Sequence, residues 1–308
     1  MGVGAVPMPA AETDVSPGLV RRLLAAQHPD LAQLPVEPLA NGWDNVMFRV
    51  GGTLVARLPR RQAAARILLH EQRWLPVLAP RLPLPVPAPV RAGQPALGYP
   101  WPWSIVPFLP GRAAARTPPA DARAAAATLG RFLAALHVPA APGAPVSPVR
   151  GIPLADRSEN LAGNLDLLGG QADRPAVMRI WQAALAAPRW DAPGVWVHGD
   201  LHPANILVHQ GRISGVIDFG DLTAGDPAGD LSVAWLLLPA GCRGAFRGAY
   251  AEAGGGGADD ASWARARGWA LALSVVFLAH SADNPLLAGI GRRGLAAVLA
   301  DTSGGKIR

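Results

Sequence analysis

His-Gly-Asp-Leu-His-Pro-Ala-Asn at 198–205 and Ile-Asp-Phe-Gly-Asp at 217–221 are joined by two short apolar runs that meet at Gln210-Gly211. The runs, Asn205-Ile-Leu-Val-His and Arg212-Ile-Ser-Gly-Val-Ile, predict an antiparallel hairpin around a tight turn. A hairpin brings its ends together, so Asn205 and Asp218 are expected side by side despite their separation in sequence. Any fold for this chain has to present both polar fragments at one end of that hairpin.

Asp200 and Asn205 have four residues between them, and Asp218 follows in an Asp-Phe-Gly turn, the spacing of a kinase catalytic loop and its metal-binding partner. A transferring phosphoryl group needs a carboxylate that orients the attacking hydroxyl and takes its proton, with oxygen ligands for the magnesium that neutralises the polyphosphate. Asp200 is the expected carboxylate. Asn205 and Asp218 offer a neutral and a charged oxygen, a hard pair suited to Mg2+, which keeps its other positions for water and phosphate. An isolated Asp beside Gly is ordinarily a turn residue or helix cap; the ordered set of three favours chemistry. His198, Asp200 and His202 also alternate as metal ligands do in a hydrolase, a reading opposed by Pro203 and by the lack of a further His cluster.

From Trp196 to Trp235, the segment WVHGDLHPANILVHQGRISGVIDFGDLTAGDPAGDLSVAW resembles the core of the aminoglycoside and macrolide phosphotransferase family, small-molecule relatives of the eukaryotic protein kinases. The likeness extends through NGWDNVMFRVGGTLVARLPRR, Glu71 and YPWPWSIVPFLPG, and thins toward the C-terminus. It implies a two-lobed, protein-kinase-like α+β fold. A small N-lobe with an antiparallel sheet (1–105) would bind nucleotide; a larger, mainly helical C-lobe (106–308) would carry the catalytic loop and the acceptor-binding helices. The resemblance further implies that His198 holds the catalytic loop by hydrogen bonds. Asp226 and Asp230, matching the family's Gly-Asp-Pro-x-x-Asp-Leu segment, would cap a helix and brace the same loop. Gly199 stands where protein kinases carry an arginine that pairs with a phosphorylated activation loop, which implies constitutive activity on a small molecule.

In the N-terminal third, Met47 to Val50 and Thr53 to Leu58 around Gly51-Gly52 read as a second hairpin. Ahead of it, Asn41-Gly42-Trp43-Asp44-Asn45 occupies the position of the phosphate-covering loop, with Asn41 and Gly42 as expected nucleotide contacts. It is no GxGxxG motif, and an ordinary turn explains it equally well. The family's strand lysine is replaced by Arg57 in Val55-Ala56-Arg57, and Lys306 is the one lysine in the chain. Arg57 is the expected phosphate cation, its guanidinium fork reaching α- and β-phosphate oxygens, with Arg60 and Arg61 as competitors. Glu71, in a helical stretch expected from Gln62 to Leu78 and broken by Pro76, is its expected ion-pair partner.

Pro80 to Gly111 would read as a polyproline-like linker were it not for Tyr99, Trp101, Trp103, Ile105, Val106 and Phe108, which require burial. An edge strand is expected there, followed by a hinge near 104–109 in which main-chain groups of Ile105, Val106 and Phe108 meet the nucleobase. Pro107 removes one donor. Asp121 to His137 predicts a core helix through Leu129, Phe132, Leu133 and Leu136, with His137 as a cap favourable to the helix dipole. Further helices are expected within 154–187 and 261–279, where the family likeness places the acceptor pocket and where Trp263, Trp269 and Phe277 read as core.

The chain has 308 residues, half of them hydrophobic, enough for two lobes with a substantial core. Its net charge of +6 divides into +4 for residues 1–111 and +2 for residues 112–308, with no basic block, so no nucleic-acid partner is expected. Cys242 is the one cysteine and cannot form an internal disulfide. MGVGAVPMPAAETD has no basic region leading into an apolar run, and the longest apolar stretch falls short of the ~20 residues of a membrane span. A cytoplasmic protein without membrane association is the expectation; the oligomeric state stays open.

The expected reaction moves the γ-phosphate of ATP or GTP, with Mg2+, to a hydroxyl of a small molecule. An antibiotic such as an aminoglycoside or macrolide, hence a role in antibiotic resistance, is the first expected acceptor. A metabolite of the choline or homoserine type is the alternative, and a catalytically inactive nucleotide-binding protein a further one. Asp156, Glu159, Asp166 and Asp173 are the carboxylates available to a polycationic acceptor, and equally what a solvated helix face displays. No residue is assigned to the acceptor.

Overall fold

The computed structural model describes residues 10–255 and 258–301; Lys306 and the first nine residues, read above for a leader, lie outside them. The chain divides into two compact units between Pro110 and Gly111.

The first unit is a five-stranded antiparallel sheet with two helices. Its elements are α1 (Pro17–Gln27), β1 (Val36–Asn41), β2 (Asn45–Val50), β3 (Leu54–Pro59), α2 (Gln62–Leu78), β4 (Arg91–Gly93) and β5 (Trp103–Pro107), with strand order β1-β2-β3-β5-β4. Ser16 caps α1 by accepting from the Leu19 amide, with Pro17 pre-set for the first turn. Leu19, Val20, Leu23 and Leu24 then form one helical face that closes over Phe48, Leu58, Tyr99, Trp103 and Ile105.

The proline-rich passage supplies two strands, β4 at the edge and β5 one place inside it. Residues 104–107, expected to begin a hinge, are therefore ladder residues; the passage leaves the sheet only at Phe108. The helix α2 also runs through Pro76 to Leu78 rather than breaking there. A proline forfeits one bond to the carbonyl four residues earlier, and so near the C-terminus it costs the last turn little.

The second unit begins with β6 (Arg112–Ala113), α3 (Ala122–Leu136), α4 (Ser158–Leu168), α5 (Arg174–Leu185) and β7 (Val195–Val197). It continues through β8 (Ile206–His209), β9 (Arg212–Val216), β10 (Thr223–Gly225), α6 (Ala228–Leu231), α7 (Val233–Leu236), α8 (Ala240–Glu252), α9 (Asp260–His280) and α10 (Pro285–Ala300). Asp121 caps α3 through the Arg123 and Ala124 amides, and the four apolar residues read for its core face are fully buried. On α9 the buried residues run round the whole helix, as befits one enclosed by neighbours, and α4, α5, α6 and α10 pack on it. Among the described residues no helix is long and apolar enough to cross a membrane.

Two small sheets frame the segment 198–205: β6-β8-β9, and β7 paired with β10. The hairpin of β8 and β9 turns at Gln210 and Gly211, both with positive φ (50° and 75°), as a two-residue hairpin turn demands.

At the sheet edge, Gly93 on β4 faces Trp103 on β5, and a Cβ on Gly93 would overlap the fully buried indole. Gly93→Ala is expected to cost about 1–3 kcal/mol by overpacking, read as a lower urea midpoint with an unchanged m-value.

Candidate active site

The segment 198–205 leaves β7 and enters β8, so both of its ends are held by strands. Main-chain hydrogen bonding continues past the hairpin, the Ile217 N–H donating to the Asn205 carbonyl at 2.9 Å. Asp218 therefore follows directly on the residue bonded to Asn205, the convergence that the apolar runs predict. Its φ is +67° and its side chain is exposed, above a fully buried Phe219; Asp is among the few non-glycine residues that tolerate this left-handed conformation.

Asn205 is buried and its Nδ2 donates to the Asp200 carbonyl at 3.0 Å. With the amide nitrogen so engaged, Oδ1 is the atom left for a cation. The neutral oxygen of Asn205 and the exposed carboxylate of Asp218 make a hard donor pair that fits magnesium. Among the described residues no group of three or more His, Cys, Asp or Glu side chains could hold a metal ion.

Asp200 accepts from Arg150 Nη2 at 2.8 Å through Oδ1 and lies 3.3 Å from His202 Nε2 through Oδ2. Burial works to raise its pKa, but the hydrogen bond and charge of His202, with Arg150 and His198, outweigh that and hold it well below the ordinary carboxylate range. The Arg150 guanidinium also reaches Asp221 through Nε at 2.9 Å. Burial opposes its charge, and Asp200 and Asp221 more than offset the cost, raising its pKa.

Arg150 is the residue that sequence reasoning missed. It sits fifty residues from Asp200 in a Pro/Gly/Ser loop, with no motif around it. Its position comes from the backbone. Ser147 Oγ accepts from the amides of Val149 and Arg150, the Ser147 amide donates to Thr223 Oγ1, and the Asp226 amide donates to the Gly151 carbonyl. Gly151 (φ +63°) lies so close to Gly225 that a Cβ on Gly225 would overlap its backbone.

Behind the segment, Asp230 accepts from the amides of His198 at 2.6 Å and Gly199 at 3.0 Å. His137 donates to it through Nε2 at 3.1 Å and accepts from the Tyr250 hydroxyl at 2.9 Å. His137 is the C-cap of α3, as read from sequence, its backbone N–H closing the helix on the Leu133 carbonyl, while its ring braces the segment 198–205. His198 donates from Nε2 to the Ile217 carbonyl at 3.0 Å and accepts the Asp200 amide at Nδ1. With both ring nitrogens engaged, His198 is no ligand for a hydrolase metal. Asp226 accepts from the Ala228 amide at the start of α6 and pairs with Arg265 on α9 at 2.8 Å, both side chains buried.

Gly199 has φ +86°, and a Cβ there would overlap the Asp221 carbonyl. No L side chain fits at this point without moving the backbone.

In the first unit Arg57 meets Glu71 at 2.9 Å. Glu71 falls in the buried stripe of α2 between Leu68 and Trp74, a place for a carboxylate only if an opposite charge faces it. The competitors are occupied elsewhere: Arg60 donates to the Gly42 carbonyl and Arg61 pairs with Asp44. Asn41 ends β1, and the Gly42 amide donates to the Asn45 carbonyl, so 41–45 is a closed hairpin turn.

The nucleobase contacts read for 105–108 sit differently. The Phe108 amide donates to the Thr53 carbonyl, and the Ile105 carbonyl accepts from Val90. Antiparallel ladders alternate, so Val106 directs its main-chain groups at Val55 on β3. Pro107, the last residue of β5, has the opposite parity, its carbonyl directed away from β3.

The family model described as "Phosphotransferase enzyme family" matches residues 35–269. A homoserine kinase of Gluconacetobacter diazotrophicus is 32% identical over 263 residues, 80% of this chain and 78% of that protein. The GDP complex of wild-type aminoglycoside 2'-phosphotransferase-IIIa is similar with a TM-score of 0.67 at 22% identity, covering 94% of this chain and 100% of that one. A macrolide 2'-phosphotransferase from Brachybacterium faecium gives a TM-score of 0.61 at 25% identity, covering 92% and 97%. The fold is kinase-like and α+β.

Asp230 is ionised at lower pH than an ordinary carboxyl: burial opposes its charge, but His137, by hydrogen bond and charge, and His198 prevail. A depressed folded pKa contributes stability above the ordinary value of 3.8 and loses it as pH falls through the folded value. Asp230→Asn is expected to cost about 2–4 kcal/mol at neutral pH. In melting curves of both proteins, that gap should hold down to the ordinary value and narrow below it.

Proposed function

The chain belongs to the phosphotransferase enzyme family, and from that premise we propose that it moves the γ-phosphate of ATP or GTP to a hydroxyl of a small molecule. The observation that carries the reading is the hairpin, which sets Asp218 beside Asn205, whose amide is tied to the main chain of Asp200.

Asp200 orients the acceptor hydroxyl and takes its proton as the oxygen bonds to the γ-phosphorus. The bond from that phosphorus to the bridging oxygen breaks, and the nucleoside diphosphate leaves with the electron pair. Because Asp200 is held ionised by Arg150 and His202, it is ready as an acceptor of hydrogen bonds but weak as a base. Its share in catalysis is chiefly alignment, with proton transfer late. Asn205 and Asp218 are the residues that would hold Mg2+, which when bound offsets the charge of the polyphosphate. Arg57, fixed by Glu71, is the cation for the α- and β-phosphates, and the Pro107 carbonyl is the main-chain group for the base.

The aminoglycoside and macrolide enzymes among the similar structures support an antibiotic as acceptor, and with it antibiotic resistance. The homoserine kinase relative supports a hydroxylated metabolite. A nucleoside triphosphate donor supports a cytoplasmic location.

Asp200→Asn should lower kcat about 10²- to 10⁴-fold on a true acceptor with nucleotide affinity retained, measured as nucleoside diphosphate release; wild-type turnover in that variant would remove Asp200 from the role. Arg57→Ala should raise the nucleotide KM about 10- to 100-fold with a smaller change in kcat. Chelation by EDTA should abolish transfer, and magnesium should restore it.

A further inference from the structure

At the Val195–Gly225 end of the β7–β10 pair, opposite the end from which the chain runs on to Asp200, lies a cavity of about 290 Å³. Gly151 and Asp226 line it, and they also line the small recess that contains Gly199. These two residues are thus the partition between the cavity and the segment 198–205. The Asp226 amide donates to the Gly151 carbonyl at 2.9 Å, and a Cβ on Gly225 would overlap the Gly151 backbone, so the partition is closed. A molecule seated in the cavity is held off Asp200 by it.

The lining sets the chemistry of that molecule. Leu154, Ala155, Leu185 and Ala187 make apolar walls, and the Trp190 indole, tied through Nε1 to the Pro193 carbonyl at 3.3 Å, adds an aromatic face. An apolar cavity of about 150 Å³ already takes up benzene, so this one has room for one or two fused rings.

Polar groups stand at two points. Asp226 and Arg265 form a buried pair whose charges cancel. Arg265 Nη1 carries two hydrogens and makes one hydrogen bond among the described residues, to the Pro188 carbonyl, which leaves a donor unused. Arg189 also lines the cavity; it is exposed and has no ion-pair partner among the described residues. Asp226 is the one carboxylate of the lining, and Asp191, exposed two positions after Arg189, lies outside it. The cavity therefore presents apolar walls and one uncompensated positive charge, the complement of a hydrocarbon body bearing a single anionic group.

We propose that this cavity is a second ligand site, separate from the acceptor's, for a small aromatic carboxylic acid. The ring lies between Trp190 and Leu185, and the carboxylate meets Arg189. The occupant of this site is not phosphorylated.

The test is equilibrium dialysis of the full chain against benzoate, phenylacetate and naphthoate, each beside its primary amide. At least one acid should bind with a Kd below about 1 mM, its amide about 10-fold more weakly, the loss for one charge-assisted contact at an exposed cation. Arg189→Ala should weaken the acid to the level of the amide while leaving the amide and the melting temperature unchanged, and Arg189→Lys should recover part of the loss. Ala187→Phe, which fills the cavity, should abolish binding of acid and amide alike. Asp200→Asn, or saturation with magnesium and ATP, should leave the affinity as it was. Equal affinity for acid and amide, binding retained in Ala187→Phe, or no acid bound at about 10 mM would overturn the site. Loss of binding in Asp200→Asn would place the acids at the segment 198–205 and overturn it as well. The assay needs neither an acceptor nor turnover, so its outcome is independent of the phosphotransferase reading.

Discussion

One carboxylate fixes the segment 198–205 from behind. Asp230 accepts two consecutive main-chain N–H groups, those of His198 and Gly199, and in the same buried space takes the ring of His137. Such a carboxylate costs several kcal/mol to bury alone and is retained because all its partners are charged or strongly polar. What it supplies is direction: with the amides of His198 and Gly199 pinned, the backbone leading into Asp200 is held in place. Burial, with the nearby Asp230 and Asp226, raises the Tyr250 pKa, so its hydroxyl stays protonated and donates to His137. The brace is thus anchored in α8.

Arginine supplies the cation of each of these ion pairs. Arg57 faces Glu71, Arg265 faces Asp226, and Arg150 spans Asp200 and Asp221. A guanidinium stays charged where burial would discharge an ammonium, and its fork serves two acceptors in fixed geometry. Arg150 uses both properties: one side chain neutralises two carboxylates and sets their spacing.

Local pattern carried much of this arrangement, because the determinants of the hairpin and of the Arg57–Glu71 pair lie within short stretches. Apolar runs around Gln210-Gly211 allow one register, and Glu71 on the apolar stripe of α2 demands a cation nearby. The helix α1 was equally written in Ser16-Pro17 and the spacing of Leu19, Val20, Leu23 and Leu24, although no catalytic motif points to it. Other features depend on approaches between distant segments. Arg150 reaches Asp200 because Gly151 packs on Gly225, a contact that neither glycine announces. The direction of the Val106 main chain follows from ladder parity, and that is fixed by where the Thr53–Phe108 bond falls. His137 reads as a helix terminus until Asp230, far along the chain, is seen beside its ring.

Gly199 carries a consequence for how such an enzyme can evolve. Protein kinases place an arginine at this point and use it to sense a phosphate added to their own chain. Here the backbone is left-handed and the Asp221 carbonyl fills the space a side chain would need. A single codon change therefore cannot introduce that sensor; the Asp-Phe-Gly turn and Arg150's second carboxylate would have to be rebuilt together.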